Sequence, residues 1–350
     1  MTVSTAVTSS TTGATGGTCR IVEGGRGAAR RQFIDETLAQ AGAEGMETHH
    51  LSCRLETGGV WAGLAELLRA LLPRIEAARP DLLTKHSYEL ALALPELRRR
   101  FPLTDASLTD ASPVKERIRS YPIDRAYRLL HGVIDLLAAW LPLDGRRHLV
   151  VCDDFDGAGA LMRRFFREFV RRRAGQLPLD LLFVVENGAG VAASEILEGR
   201  GGEIVVLGWA TEQEAVDPDE MAWRADALEV RLEATLGQSE NFLPQLIHCC
   251  LASGQLQRAQ RWRAVTLAVY NHFGFYEDAL FFGEPLIADL DLTCSGPESF
   301  SRWHVISGLF NALVALGRPE RAFQLVHDEA LLKIDDSKDL VSIYYTLAML

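Results

Sequence analysis

The chain has 350 residues, 48% apolar and 24% charged, with a formal net charge of −11. That length supports two full hydrophobic cores, and the balance is that of a soluble globular protein. The longest apolar stretch, 132–143, carries Asp135 and falls far short of the roughly 20 residues a membrane helix needs. Met1–Gly17 is rich in Ser, Thr and Gly, without a basic residue or an apolar centre, and reads as a disordered tail rather than a secretory signal. Cys19, Cys53, Cys152, Cys249, Cys250 and Cys294 show no C-x-x-C spacing, and buried thiols in a reducing, cytoplasmic setting are expected.

The first 210 residues alternate strand and helix, the pattern of a parallel sheet. Cys19–Glu23 reads as a strand, followed by Gly24-Gly25-Arg26-Gly27-Ala28-Ala29-Arg30-Arg31 and a helix over Ala28–Gln40. On the phosphate-binding template G-x-x-x-x-G-K-[ST], Gly24 takes the first glycine, Ala29 the second, Arg30 the lysine and Arg31 the hydroxyl. The frame fits while the chemistry is lost. The lysine reaches the terminal phosphates and the hydroxyl places Mg²⁺, so both functions are missing together. Gly24, Gly25, Gly27, Arg26, Arg30 and Arg31 are still able to attract an anion at a helix N-terminus, but a guanidinium is a wide planar fork in place of a compact ammonium.

Met46–Cys53 reads as the second strand. A long helical insertion follows over 54–146, with leucine stripes at Trp61–Ala78 and Asp124–Trp140. Inside it Leu103-Thr104-Asp105-Ala106-Ser107 is repeated at once as Leu108-Thr109-Asp110-Ala111-Ser112, which reads as a flexible loop. His148–Cys152 is an apolar strand that runs into Asp153-Asp154, the form of a Walker B element. There Asp153 would hold the Mg²⁺ shell and Asp154 would polarise water; the competing reading is that two acids end a buried strand and cap the next helix. That next helix carries Arg163, Arg164, Arg167, Arg171, Arg172 and Arg173 around an apolar face, which reads as a solvated amphipathic helix rather than a nucleic-acid stripe. Leu179–Val185 ends at Glu186-Asn187, where Asn187 is a candidate sensor of a terminal phosphate or simply a turn former before Gly188. Glu203–Leu207 completes the strands.

From Asp217 only helices are expected, opened by a capping aspartate with Pro218 in the first turn. A glycine followed five residues later by alanine recurs at Gly254/Ala259, Gly274/Ala279 and Gly317/Ala322. Leu316-Gly317-Arg318-Pro319-Glu320-Arg321-Ala322 resembles the tetratricopeptide-repeat turn, with Leu309, Phe310 and Leu313 in matching positions, although the spacing of the glycines is irregular. The aromatic set Tyr270, Phe273, Phe275, Tyr276, Phe281 and Phe282 reads as hairpin core. Residues 342–350 begin an apolar helix without a cap, so either the natural chain continues or that face meets a partner. Residues 211–350 hold 10 Lys/Arg against 21 Asp/Glu, the whole of the net charge. An acidic half disfavours nucleic acid and anionic lipid and suits a basic protein.

The order of strand, glycine loop, helix, helical insertion, Asp-Asp strand, polar-ended strand and helical hairpins resembles the STAND class of signal-transduction ATPases, including bacterial regulators of the LuxR-type large ATP-binding group. The resemblance implies a P-loop NTPase-like sheet domain over 18–210 in the strand order 5-1-4-3-2, ATP and Mg²⁺ as cofactors, and an all-α tetratricopeptide-like array over 211–350. The chain departs from that pattern in its Arg30 and Arg31, and in showing neither a winged-helix segment nor a helix-turn-helix reader. The expectation is a regulatory or scaffolding protein, impaired in ATP hydrolysis, that binds a protein partner or a second copy of itself through its helices. The alternatives are an active ATP-dependent switch or transcriptional regulator, and an accessory protein of a biosynthetic pathway.

Overall fold

The computed structural model describes residues 16–101, 122–200, 202, 204–212, 216–235, 241–294, 300–331, 333–334 and 336–348. The micro-repeat of 103–112 lies outside them, as do residues 1–15 of the expected tail. Gly16 and Gly17 belong instead to the fold, their backbones lying against Gly175 and Leu179.

Five strands form the sheet: β1 (Cys19–Glu23), β2 (Glu47–Ser52), β3 (His148–Asp153), β4 (Leu179–Val185) and β5 (Ile204–Val206). All pair in parallel in the order β2-β3-β4-β1-β5, which is the expected 5-1-4-3-2 read from the other edge. Period-2 alternation divides each strand between two buried faces. Val22, Leu149, Val151, Leu182 and Val184 pack under α1 (Ala28–Ala43) through Ile34 and Ala41. Ile21, Val150, Cys152, Leu181, Phe183 and Val185 point the other way into the main core.

That core is built largely from the insertion. The leucine stripe of α2 (Leu64–Ala78) buries Leu64, Leu67, Leu68, Leu71, Leu72 and Ile75. α3 (Pro122–Asp144) answers with Leu129, Leu130, Leu136 and Leu137. α4 (Ala160–Arg172) adds Phe165, Phe166 and Phe169. Phe155, Phe166 and Phe183 meet at ring-centroid distances of 4.6–5.6 Å, with Phe166 edge-on to both neighbours. After β4 comes α5 (Gly190–Ile196).

Beyond β5 the described structure is helical: α6 (Pro218–Thr235), α7 (Leu243–Ala252), α8 (Leu256–Phe273), α9 (Tyr276–Gly283), α10 (Arg302–Ala315), α11 (Pro319–Val326) and α12 (Ser337–Ala348). The three glycine–alanine pairs mark the turns α7/α8, α8/α9 and α10/α11. Gly254, Gly274 and Gly317 take φ of 74°, 82° and 69°, the left-handed conformation that ends a helix without steric cost. Ala259, Ala279 and Ala322 are fully buried where the next helix crosses its predecessor. Because α8 belongs to two of these turns, the spacing follows a run of three helices rather than a strict repeat. Tyr270, Phe275, Tyr276 and Phe282 are core residues as expected, whereas Phe281 is 48% exposed. On α12, Ile343 is buried, while Val341, Tyr344 and Tyr345 face outward. No helix among the described residues is long and apolar enough to cross a membrane.

At the β2–β3 edge two buried histidines stack, His49 Nε2 lying 3.2 Å from His148 Nδ1. His148 Nε2 lies 2.9 Å from an Asp144 oxygen, and Asp144 is also held by Arg74. One proton per hydrogen bond makes His148 donate to Asp144 and accept from His49, so both rings are neutral. Burial pushes each pKa from 6.5 down to about 4, assisted for His49 by the repulsion a protonated His148 would exert and for His148 by the charge of Arg74. A depressed histidine pKa means that the unfolded chain takes up the proton first as the pH drops. Stability is therefore complete above about pH 6.5 and falls as the pH is lowered toward 4, by on the order of 3 kcal/mol for each histidine. Urea denaturation across that range checks this, and His49→Asn/His148→Asn should flatten the dependence.

Candidate functional site

The site lies at the carboxyl edge of the sheet, where β1, β3 and β4 deliver the glycine loop, Asp153-Asp154 and Glu186-Asn187. Arg30 sits one helical turn before Ile34 on the buried face of α1. Its side chain therefore runs inward under the sheet edge rather than outward toward the loop, and it is 3% exposed. Nε donates to Asp153 Oδ1 at 2.8 Å. Nη2 donates to the same oxygen, to Asp154 Oδ1 at 3.2 Å and to the Val184 carbonyl at 3.3 Å. Nη1 is buried without an acceptor.

The second carboxylate is also occupied. Arg26 Nε donates to Asp154 Oδ1 at 2.7 Å and stands 3.3 Å from Glu186, with Asp156 at 3.5 Å from its Nη2. Arg54 approaches Asp154 at 4.0 Å, and His50 approaches Asp153 at 3.6 Å. Burial opposes ionisation of Asp153, but the His50 contact and the charge of Arg30 outweigh it and hold its pKa below the ordinary 3.8. The same contact with Asp153 raises the His50 pKa. Asp154 adopts a left-handed backbone with φ of 53°, uncommon outside glycine, which turns the chain at the end of β3 and presents its carboxylate to the arginines. Both strand-end acids are thus neutralised from within the chain.

The glycine loop is filled from within as well. Residues 207–212, leaving β5 beside β1, cross directly over it. The Trp209 carbonyl accepts from Gly25 N at 3.1 Å and from the Asn187 side chain at 2.7 Å. The Trp209 ring packs against Phe33, with centroids 5.2 Å apart. A Cβ on Gly24 would lie 2.3 Å from that ring, and one on Gly25 would lie 2.5 Å from the Trp209 carbonyl oxygen and the Ala210–Thr211 backbone. Glu212 then reaches the N-terminus of α1, where its carboxylate accepts from Ala28 N at 2.9 Å while its own N–H donates to the Arg26 carbonyl at 2.6 Å. A negative group at the positive end of a helix is favourable, and here the chain supplies its own. Thr211 and Glu186 close the segment with a hydrogen bond between side chains.

The expected site residues Gly24, Gly25, Gly27, Arg30, Asp153, Asp154 and Asn187 are thus brought together, with altered roles. Asn187 clamps the Trp209 carbonyl instead of facing an open cradle. Arg31 is exposed on α1. The arrangement does not fit Mg²⁺ and a triphosphate. Phosphate at the α1 N-terminus would meet the Glu212 carboxylate, and Mg²⁺ at Asp153 would have to displace a guanidinium. Trp209, Glu212, His50, Arg54 and Asp156 were not legible as site residues from motif spacing. For Trp209 and Glu212 the usable signal is topological, since a strand beside β1 must release its chain next to the loop.

Arg30 and Asp153 form a pair whose separation leaves a buried charge unmatched. Asp153→Asn is expected to lower stability by about 3 kcal/mol at neutral pH, and Arg30→Met/Asp153→Asn together should recover most of the loss. Because the folded pKa of Asp153 is depressed, its contribution is complete above the ordinary carboxylate value and disappears as the pH falls through the lowered one. Equilibrium denaturation of the three proteins at pH 7 and pH 3 measures both effects.

No protein-family model matches the chain, and no curated protein matches it in sequence. Among solved structures it is similar to that of the Aeropyrum pernix Orc1 protein in complex with DNA, at 12% identity and a TM-score of 0.28, over 95% of this chain and 77% of that one.

Proposed function

We propose that the chain is a cytoplasmic regulatory or scaffolding protein related to the STAND class. Its loop-and-sheet site serves as a closed structural joint, and its tetratricopeptide-like helices hold a protein partner. The observation that carries this reading is the internal satisfaction of the site: Arg30 engages both strand-end carboxylates, and Glu212 fills the helix terminus that would receive phosphate. The acidic balance of 211–350 and the outward Trp223, Val230, Val341, Tyr344 and Tyr345 support a basic partner with an apolar patch, or a second copy of the chain.

A working ATP-dependent switch is the second reading, supported by the strand order and by Asp153-Asp154 at the end of β3. It requires residues 209–212 to leave the loop and Arg30 to release the carboxylates. Thermal melting with ATP, with and without Mg²⁺, separates the two, because a ligand that binds only the folded state raises its melting temperature. The scaffolding reading expects no magnesium-dependent shift at millimolar ATP and no hydrolysis above buffer. Magnesium-dependent turnover abolished by Asp154→Asn would sink it.

A further inference from the structure

The basic helix α4 is not simply a solvated face. Its apolar side, from Leu161 to Val170, is buried in the core, and near its far end Arg171 and Arg172 both engage Glu168. Arg163, Arg164 and Arg167 differ. Three- and four-residue spacing puts Arg167 on the same side as the other two, and all three line a cavity of about 400 Å³ between α4, α3 and the α8/α9 turn. Arg164 and Arg167 are half-buried, and the Nε of each is shielded from water without a hydrogen-bond acceptor. The Arg164 guanidinium lies 3.5 Å from the centre of the Tyr127 ring. Arg163 donates one bond to the Asp156 carbonyl, at 2.8 Å.

Among the described residues no acid is hydrogen-bonded to Arg164 or Arg167. Asp278 is buried with its two oxygens committed to the first amides of α4, Ala160 N at 2.6 Å and Leu161 N at 3.1 Å. Glu277 borders the cavity and acts on Arg164 through its field, without an ion pair among the described contacts. Burial, and then the like charge of Arg167, lower the pKa of Arg164 against the opposing fields of Glu277 and Glu168, as expected of two cations that face one space without a described acid bonded to either. The remaining wall is apolar and aromatic, from Leu161, Phe275 and Leu316.

We propose that this cavity binds a small organic molecule bearing a multivalent oxyanion, a phosphate ester or a polycarboxylate. The oxyanion is held by the forks of Arg164 and Arg167, and the body lies against Tyr127 and Phe275. Planar guanidinium forks match phosphate and carboxylate geometry, and the volume falls in the range of small-ligand sites, roughly 300–1,000 Å³. The site is separate from the glycine loop and independent of how that loop is read.

Calorimetric titration of the full chain with pyrophosphate and with citrate tests the proposal and separates the two anion classes. Saturable one-to-one binding of at least one of them is expected. Arg164→Gln/Arg167→Gln should weaken it by about tenfold or more, whereas Arg171→Gln/Arg172→Gln, an equal loss of charge on the same helix, should change it by less than about twofold. Without anion, Arg167→Gln should melt at the same or a higher temperature, since it relieves a repulsion, and this single variant carries the test if the double one does not fold. Absence of saturable binding at millimolar pyrophosphate and citrate, equal weakening in both double variants, or binding confined to acidic peptides overturns it.

Discussion

The Arg30 guanidinium beneath the carboxyl edge of the sheet is the interaction on which the rest of the site depends. It links α1 to β3 through Asp153 and Asp154 and to β4 through the Val184 carbonyl, so one buried cation ties together three elements distant in the chain. A charge this deeply placed is tolerable only with its counter-charges beside it, and the two aspartates need the arginine for the same reason. With His50, Arg26 and Arg54 gathered on the same carboxylates, the edge becomes an internal ion network. A metal and a phosphate would have to take it apart.

Closure of the glycine loop follows from topology and from the absence of side chains. β5 pairs with the opposite side of β1 from β4, so the chain leaving it passes over the loop. Gly24 and Gly25 let that backbone approach closely, and hydrogen bonds through the Trp209 carbonyl fix it there. Glycines at these positions are explained here by contact with the chain itself, although the same residues in the same order form the frame of a phosphate loop. Resemblance to a motif and fitness for its ligand are separate properties, and the Glu212 carboxylate at the α1 N-terminus marks the difference.

The insertion and the hairpins act as one packing problem. The main core extends from Ile21 in the sheet, through the leucines of α2 and α3, to Ile343 in α12. α4 sits at the crossing point. Its phenylalanines complete the sheet core, its first amides are capped by Asp278 from α9, and Arg163, Arg164 and Arg167 face the space left between it, α3 and the α8/α9 turn. A cavity with charged walls is what results when an amphipathic helix is covered on its polar side as well.

Much of the architecture was legible because it rests on local rules. Strand limits came from apolar runs, helices from leucine stripes, and hairpin turns from glycine and a buried alanine; the structure places β1 and β4 over the residues those patterns indicate. The grouping of Arg30 with Asp153 and Asp154 was readable only as a shared motif frame. Whether these groups face a ligand or one another depends on helix rotation and strand order, which carry no local signature. The fate of Trp209 and Glu212 was likewise hidden, since nothing near them in the chain announces the glycine loop almost two hundred residues earlier. Amino-acid pattern by itself determined the elements and their buried faces, because periodicity and turn chemistry act over a few residues. Only the tertiary structure decided which charges meet and which space stays open, because those outcomes belong to the long-range packing of elements against one another.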